Sequence, residues 1–257
     1  MATLLAAAAA STLVFCAPGY PGASGDAQPL VDQFAAALVT AAGWPAGSLT
    51  AVYDPTEQGG LDKLATPNAA VTFVPYPFYV QHAAQLHLTP LAQADVVGTG
   101  VTERWSLVAK TGSVSGPQSV AAYTLLSVAG YAPEFVRHSA LAAWPLPATV
   151  KIEPAAQILT VLRRVASGEP VVALLDQSQS TALPTLPFAA GIKTVTQSAE
   201  LPVALIAVVE SRLPAARAKE LQVALLKLGH GGGSAEALAA LRLQGFAMPQ
   251  LPQLPPP

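Results

Sequence analysis

Residues 70–83 read AVTFVPYPFYVQHA. Ala70-Val71-Thr72-Phe73-Val74 is a near-continuous apolar, β-rich run, and a strand with no polar side is one buried on both faces of its sheet. Pro75 and Pro77 break the run, and residues 78–86 then read as a helix that starts just after a proline, where the missing N–H costs least. A doubly buried strand, a proline loop and a helix are the parts of a βα unit in a mainly parallel sheet.

The same alternation extends to both sides. Upstream, residues 11–17 (STLVFCA) form a short β-rich run stopped by Pro18-Gly19-Tyr20-Pro21-Gly22. A helical stretch over residues 29–42 follows, then a strand at 49–53 and a short helix at 61–64. Downstream, residues 91–97 with Gly98 and Gly100 behind them read as the crossing into a second lobe. Strands are then expected at 104–110, 123–128, 149–152, 171–175 and 192–196, with helices at 116–122, 133–141 and 155–166. Residues 203–209 (VALIAVV) read as a strand carrying the chain back to the first lobe, followed by helices at 215–228 and 235–241 and a proline-rich end at 249–257. The fold expected is α/β with two lobes, each a mainly parallel sheet flanked by helices and joined by a two-strand hinge. Residues 11–100 with 198–257 form lobe 1, and residues 101–197 form lobe 2. At 257 residues the chain is long for one core and comfortable for two.

Composition excludes several functions. Charged residues make up 11% of the chain against 52% hydrophobic, the net charge is −2, and no basic run occurs, so there is no electrostatic footprint for nucleic acid. Beyond the N-terminus no apolar segment is long enough to span a bilayer. Met1 to Ala10 (MATLLAAAAA) reads as the apolar core and small-residue end of a cleaved export signal, although no Lys or Arg precedes it; an Ala-rich first helix is the alternative. Cys16 is the one cysteine, so it makes no internal disulfide and reads as a small buried hydrophobe, since Phe15 before it is too bulky for a lipid-anchor signal. His82, His87, His138 and His230 share no metal-ligand spacing, and neither a metal nor another cofactor is expected. No G-x-S-x-G, P-loop or G-x-G-x-x-G motif occurs, and Cys16 with His82 is the only nucleophile and base near neighbouring strand ends. The chain is therefore read as a binding protein and not an enzyme.

In this order of elements the chain resembles the type 2 periplasmic solute-binding proteins, in particular the phosphate/phosphonate-binding branch that serves ABC transporters. The resemblance rests on the first strand entering its Pro/Gly loop, on AVTFVPYPFYVQHA, on Ser127-Val128-Ala129-Gly130, and on Arg163, Gly168 and Asp176 in the order helix, glycine, buried strand, aspartate. The late strand at 201–209 followed by Arg212-Leu213-Pro214 completes it. It implies a periplasmic, monomeric protein that holds a small solute between its lobes and delivers it to an inner-membrane ABC permease. An accessory or sensor protein of the same fold is the alternative. The phosphonate branch carries a Ser-Thr-Ser-Gly run that holds the phosphonyl oxygens; only Ser127 and Gly130 keep that pattern here, and Val128 and Ala129 have no side-chain donors.

Ligands of open α/β sheets collect beyond the carboxyl ends of the strands. The loops expected there bring Tyr20, Tyr76, Tyr79 and Tyr131, whose rings can cover a solute and whose hydroxyls can orient it. Ser127 and Gly130 are read as opening a helix whose free N–H groups would favour an anionic group. Asp176, with Gln177 beside it, is read as a partner for an ammonium or hydroxyl, the plain alternative being a turn cap. The lobes are expected to hinge at residues 98–101 and 197–201.

Overall fold

A computed structural model describes residues 10–19, 24–229 and 234–252. Residues 1–9 of the expected export signal at 1–10, and Tyr20, lie outside the described residues. Two mixed sheets form the molecule. The first has the order β13-β4-β12-β3-β1-β2, with β1 (Ser11–Cys16), β2 (Leu49–Asp54), β3 (Ala69–Pro75), β4 (Leu88–Val96), β12 (Ala204–Val209) and β13 (Leu243–Ala247). The second has the order β10-β6-β9-β7-β8, with β6 (Ser106–Lys110), β7 (Thr124–Ser127), β8 (Lys151–Pro154), β9 (Val171–Leu175) and β10 (Ile192–Gln197). Between them β5 (Thr102–Glu103) and β11 (Leu201–Pro202) pair antiparallel as the chain crosses and returns.

Strands β1, β2 and β3 are parallel, with β2 at the sheet edge, as are β7, β8 and β9, with β8 at the edge, and β12 and β6 pair antiparallel to β3 and β9. The reading of AVTFV as a doubly buried strand corresponds to β3, which lies between β1 and β12. Its one hydroxyl, on Thr72, is fully buried and donates to the Val14 carbonyl at 3.0 Å. Helices α1 (Ser24–Ala41) and α7 (Ala215–Lys227), with α8 (Ala235–Ala240), cover one face of the first sheet over Phe15, Phe34, Phe73 and Phe246, whose rings pack edge-on and tilted. On the other face lie α2 (Glu57–Leu64) and α3 (Tyr76–Leu86). In the second sheet, α5 (Ile158–Ser167) turns Val161, Leu162 and Val165 inward and ends at Gly168, whose φ of 90° supplies the left-handed cap.

Three local expectations are corrected. Residues 91–97 do not carry the crossing: all but Val97 belong to β4, whose polar Gln93 is buried and accepts from the Gln250 amide at 2.9 Å, so the segment's mixed polarity hid an interior strand. Gly98 and Gly100, at φ 85° and 90°, close a tight turn in which the Val96 and Gly100 backbones exchange hydrogen bonds of 3.0 and 2.8 Å. Ser127 and Gly130 do not open a helix. Helix α4 (Pro133–Phe135) starts at the proline and continues as a π-helical turn over Val136–Ala140, because turn bonds from Gly130 N to Ser127 O and from Ala132 N to Ala129 O occupy the intervening chain.

Candidate functional site at the inter-lobe seam

The carboxyl ends of β1 and β3 face those of β7 and β9 across a seam, and side chains from each lobe reach into the core of the other. Tyr76, first residue of α3, is 1% exposed and packs in the apolar cluster of the second lobe, against Phe135 edge-on at 6.0 Å and beside Tyr79, whose ring is nearly parallel at 6.3 Å. From the opposite side Tyr131 packs against both that cluster and the cluster of Cys16, Phe78 and Val14 in the first lobe. The backbones also meet. A Cβ built on Gly19 would lie 2.5 Å from the Val128 carbonyl oxygen, and the Glu134 amide donates to Gln81 Oε1 at 3.1 Å.

The sequence places α3 here for a physical reason. Pro75 (φ −59°) ends the strand and Pro77 in the first turn removes an N–H that would have no partner, so the chain bends sharply and delivers Tyr76 and Tyr79 to the strand ends. Burial pushes the Tyr76 hydroxyl up to about 12, with the neighbouring Tyr79 adding to it, and burial likewise raises Tyr79 and, strongly, Tyr131. The rings therefore present neutral O–H groups, able both to donate and to accept. The Tyr131 hydroxyl is buried without a hydrogen bond of good geometry, facing the Phe78 backbone amide.

Lobe 1 lines the same region with polar groups that are paired among themselves. Asp54 at the end of β2 accepts from Thr56 N at 2.9 Å and from Thr56 Oγ1 at 2.7 Å and forms an ion pair with Lys63. The Glu57 carboxylate is bonded to His82 Nε2 at 2.8 Å. Cys16 is 1% exposed, donates to the Thr56 carbonyl at 3.4 Å, and has its thiol pushed up to about 12 by burial and then by the charges of Asp54 and Glu57. No hydrogen bond joins Cys16 to His82 among the described residues, and the thiol is held in its protonated, weakly nucleophilic form.

The remaining candidate residues take different positions from those expected. Ser127 is fully buried; its hydroxyl donates to Leu174 O at 2.8 Å and accepts from Ala129 N at 3.1 Å. Gly130 is required by close packing, since a Cβ there would lie 2.1 Å from the Glu153 carbonyl oxygen. Asp176, 4% exposed, caps α6 (Gln177–Ala182) by accepting from Gln179 N at 2.8 Å, while the Gln179 side chain accepts from Asp176 N at 3.3 Å. Gln177 faces the crossing strand, accepting from Arg104 N at 3.3 Å.

The structure therefore brings Tyr76, Tyr79 and Tyr131 together with the Ser127–Gly130 turn, and sets Asp176 and Gln177 beside the crossing strands. An edge-on chain of rings links the two groups, from Tyr76 through Phe135 to Trp105 at 5.1 Å. Sequence reasoning missed Gly19, whose φ of 83° and backbone contact were hidden in a Pro/Gly loop. It also missed Glu103 and Trp105, which read as an ordinary polar and amphipathic stretch. Two open surface depressions, beside Arg137 and beside Arg212, include no candidate residue, and both guanidinium groups are spent on backbone carbonyls.

No protein-family model matches the sequence, and no curated protein matches it. Solved structures share the fold. A Xanthomonas citri protein bound to ATP aligns over 95% of this chain and 92% of its own with a TM-score of 0.68 at 15% identity. The binding-protein component of an ABC phosphonate transporter from Pseudomonas aeruginosa aligns over 93% and 82% with a TM-score of 0.58 at 14% identity. PhnD1 from Prochlorococcus marinus in complex with methylphosphonate aligns over 93% of each chain with a TM-score of 0.55 at 14% identity. The chain has the two-lobed fold of periplasmic binding proteins. Among the described residues no helix is long and apolar enough to cross a membrane, and no group of three or more His, Cys, Asp or Glu could hold a metal ion.

Proposed function

We propose that this protein is an exported, periplasmic solute-binding protein that closes its two lobes over a small solute and presents it, as a monomer, to an inner-membrane ABC permease. One observation carries the reading: three tyrosines from opposite lobes, Tyr76 and Tyr79 from α3 and Tyr131 from the turn after β7, converge at the strand ends of a fold whose solved neighbours include a phosphonate-transporter binding component. Rings of this kind bury a solute's apolar body, and their hydroxyls fix its polar atoms.

The solute class follows from what the seam offers. Phosphonate-like anions come first, from the two phosphonate neighbours. In this chain the Ser127 turn satisfies its own donors, so an anion would rely on the tyrosine hydroxyls and the α3 amides. Asp176 is buried and spent as the α6 cap, so the tyrosine seam itself supplies no partner for an ammonium. A second reading, an accessory or sensor protein of the same fold, is favoured by the Xanthomonas citri neighbour with ATP bound.

The test is a thermal-shift screen against phosphate, methylphosphonate, aminoalkylphosphonates, amino acids and ATP. A solute at about 100 times its dissociation constant stabilises the folded state by roughly 2.7 kcal/mol. A shift produced by a phosphonate and abolished in Tyr76→Ala supports uptake; a shift from ATP alone supports the sensor. No shift with any of them removes this solute assignment.

A further inference from the structure

Tyr131 is carried by the turn after β7, and that turn is pinned to the second lobe. The Ser127 hydroxyl donates to Leu174 O and accepts from Ala129 N, and Ala155 N donates to Ser127 O at 2.8 Å. The turn also closes on itself, through Gly130 N to Ser127 O at 3.0 Å and Ala132 N to Ala129 O at 2.9 Å. Gly130, just before the tyrosine, lies so close to the Glu153 backbone that a Cβ would have no room. The mount is therefore stiff, and Tyr131 moves with its lobe.

The side chain reaches out of that lobe. Its ring packs against the second-lobe cluster of Val128 and Phe135 and against the first-lobe cluster of Val14, Cys16 and Phe78. The hydroxyl end is buried without a hydrogen bond of good geometry; it faces the Phe78 amide, with Cys16 and Glu57 of the first lobe beside it.

The Phe78 amide stands out for a reason written in the sequence. The first four N–H positions of a helix have no carbonyl partner within it. In α3 these positions are Pro75 to Phe78: the two prolines have no N–H, and the Tyr76 amide is bonded to Val203 O at 3.0 Å, next to the crossing strand β11. Phe78 supplies the one remaining donor of this helix end, and the tip of Tyr131 covers it.

We propose that Tyr131 is a plug: a ring fixed to the second lobe that fills a socket in the first, closes the lobes on one another without a solute, and covers the amide at which an acceptor oxygen of a solute would be held. The plug itself rests on the contacts between the lobes, and the role of the solute oxygen rests on the solute-binding reading above. Because the mount is stiff, the ring leaves its socket as the lobes part. A solute oxygen can then take the Phe78 amide, and Tyr131 closes on the solute instead of on the first lobe. The group required is an acceptor, since the amide only donates.

Burying an aromatic side chain biases an equilibrium by roughly ten- to hundredfold, and here the bias acts on closure. Small-angle scattering and amide exchange of the solute-free protein test it. The wild type and Tyr131→Phe are expected to share one radius of gyration and slow exchange at Phe78, because the hydroxyl makes no well-formed bond to lose. Tyr131→Ala is expected to be expanded, with exchange at Phe78 faster by roughly ten- to hundredfold relative to that at Val71, inside β3. A Tyr131→Ala protein with the wild-type radius, or one whose Phe78 amide gains no more than that of Val71, overturns the plug. So does a Tyr131→Phe protein as expanded as Tyr131→Ala, since the ring would then not be the seated part. Should Tyr131→Ala fail to fold by circular dichroism, Tyr131→Leu, whose side chain is too short to reach the Phe78 amide, is judged by the same two readouts. The solute reading fails separately, through the thermal-shift screen, whatever radius and exchange show.

Discussion

Replacing Gly19 with alanine probes lobe contact at one atom. Two costs are separable. Gly19 has φ 83°, a conformation that costs an L-residue roughly 1–2 kcal/mol whether or not the lobes touch. The new Cβ would also stand 2.5 Å from the Val128 carbonyl oxygen and 3.2 Å from the Val128 Cβ, far inside contact distance, and that cost is felt only when the lobes meet. Overpacking of this kind typically costs about 1–3 kcal/mol, which shifts the closed-to-open ratio by roughly 5- to 150-fold. Gly43→Ala is the control, because Gly43 has φ 67° but no atom within 4 Å of a built Cβ, so it carries strain without a clash. Urea melts should show both variants destabilised to a similar degree. Small-angle scattering should show only Gly19→Ala expanded, and solute affinity, once a solute is identified, should fall only for that variant. If Gly19→Ala matches Gly43→Ala in radius and affinity, the contact between the Gly19 loop and Val128 has no part in closure, and the inter-lobe argument loses its most local support.

Other consequences are equally direct. Gly60→Ala would place a Cβ 2.1 Å from Cys16 Sγ and 2.8 Å from its Cβ; it should destabilise by about 1–3 kcal/mol in urea, and the double variant with Cys16→Ala, which removes the sulfur but keeps the Cβ, should recover part of the loss. Cys16, its thiol pushed up to about 12 by burial and the nearby Asp54 and Glu57, should resist iodoacetamide in the folded protein and label rapidly in urea; fast labelling of the folded state would contradict its burial. Burial alone would raise the Asp54 carboxyl, but Lys63 and the Thr56 donors outweigh it and hold the group below its ordinary value. Its contribution to stability is therefore present above that ordinary value and lost as pH falls through the lowered one, so acid melts of the wild type should steepen relative to Asp54→Asn.

The alternation of strand and helix was legible because the strands of this chain carry their burial in composition. AVTFV and VVALL are apolar wherever a sheet interior needs them to be, and Gly168 marks the end of α5 by its left-handed φ. Where composition and burial part company, sequence reasoning failed. Residues 88–96 include a proline, a glutamine and an aspartate, yet they form a strand hydrogen-bonded on both sides, because Gln93 finds a backbone donor in Gln250 that lies 157 positions away. Ser127 looked like a ligand donor because a hydroxyl at a strand end is free until a neighbouring strand claims it; β9 does so through the Leu174 carbonyl. Glu103 gave no local sign at all, since its environment is set by Gln177, 74 positions later.

The distribution of charge across the seam explains how lobe contact and solute recognition can be coupled without strong electrostatics. Among the described residues the ion pairs and carboxylate–histidine contacts are internal: Asp54 with Lys63 and Glu57 with His82 in the first lobe, Glu134 with His138 and Glu169 with Arg164 in the second, Arg104 with Glu200 at the crossing. What crosses the seam is rings, the Gly19 contact and the Gln81 bond to the Glu134 amide. Such contacts are short-ranged and scarcely screened by salt, so closure depends on fit. Buried groups on the seam side of the second lobe and its crossing strand with unused hydrogen-bonding capacity include the Tyr131 hydroxyl, Glu103 Oε1 and Trp105 Nε1. The first is neutral and can turn to a solute without changing charge. On the proposed function, a seam assembled this way would discriminate solutes by shape and by hydrogen bonding at the tyrosines.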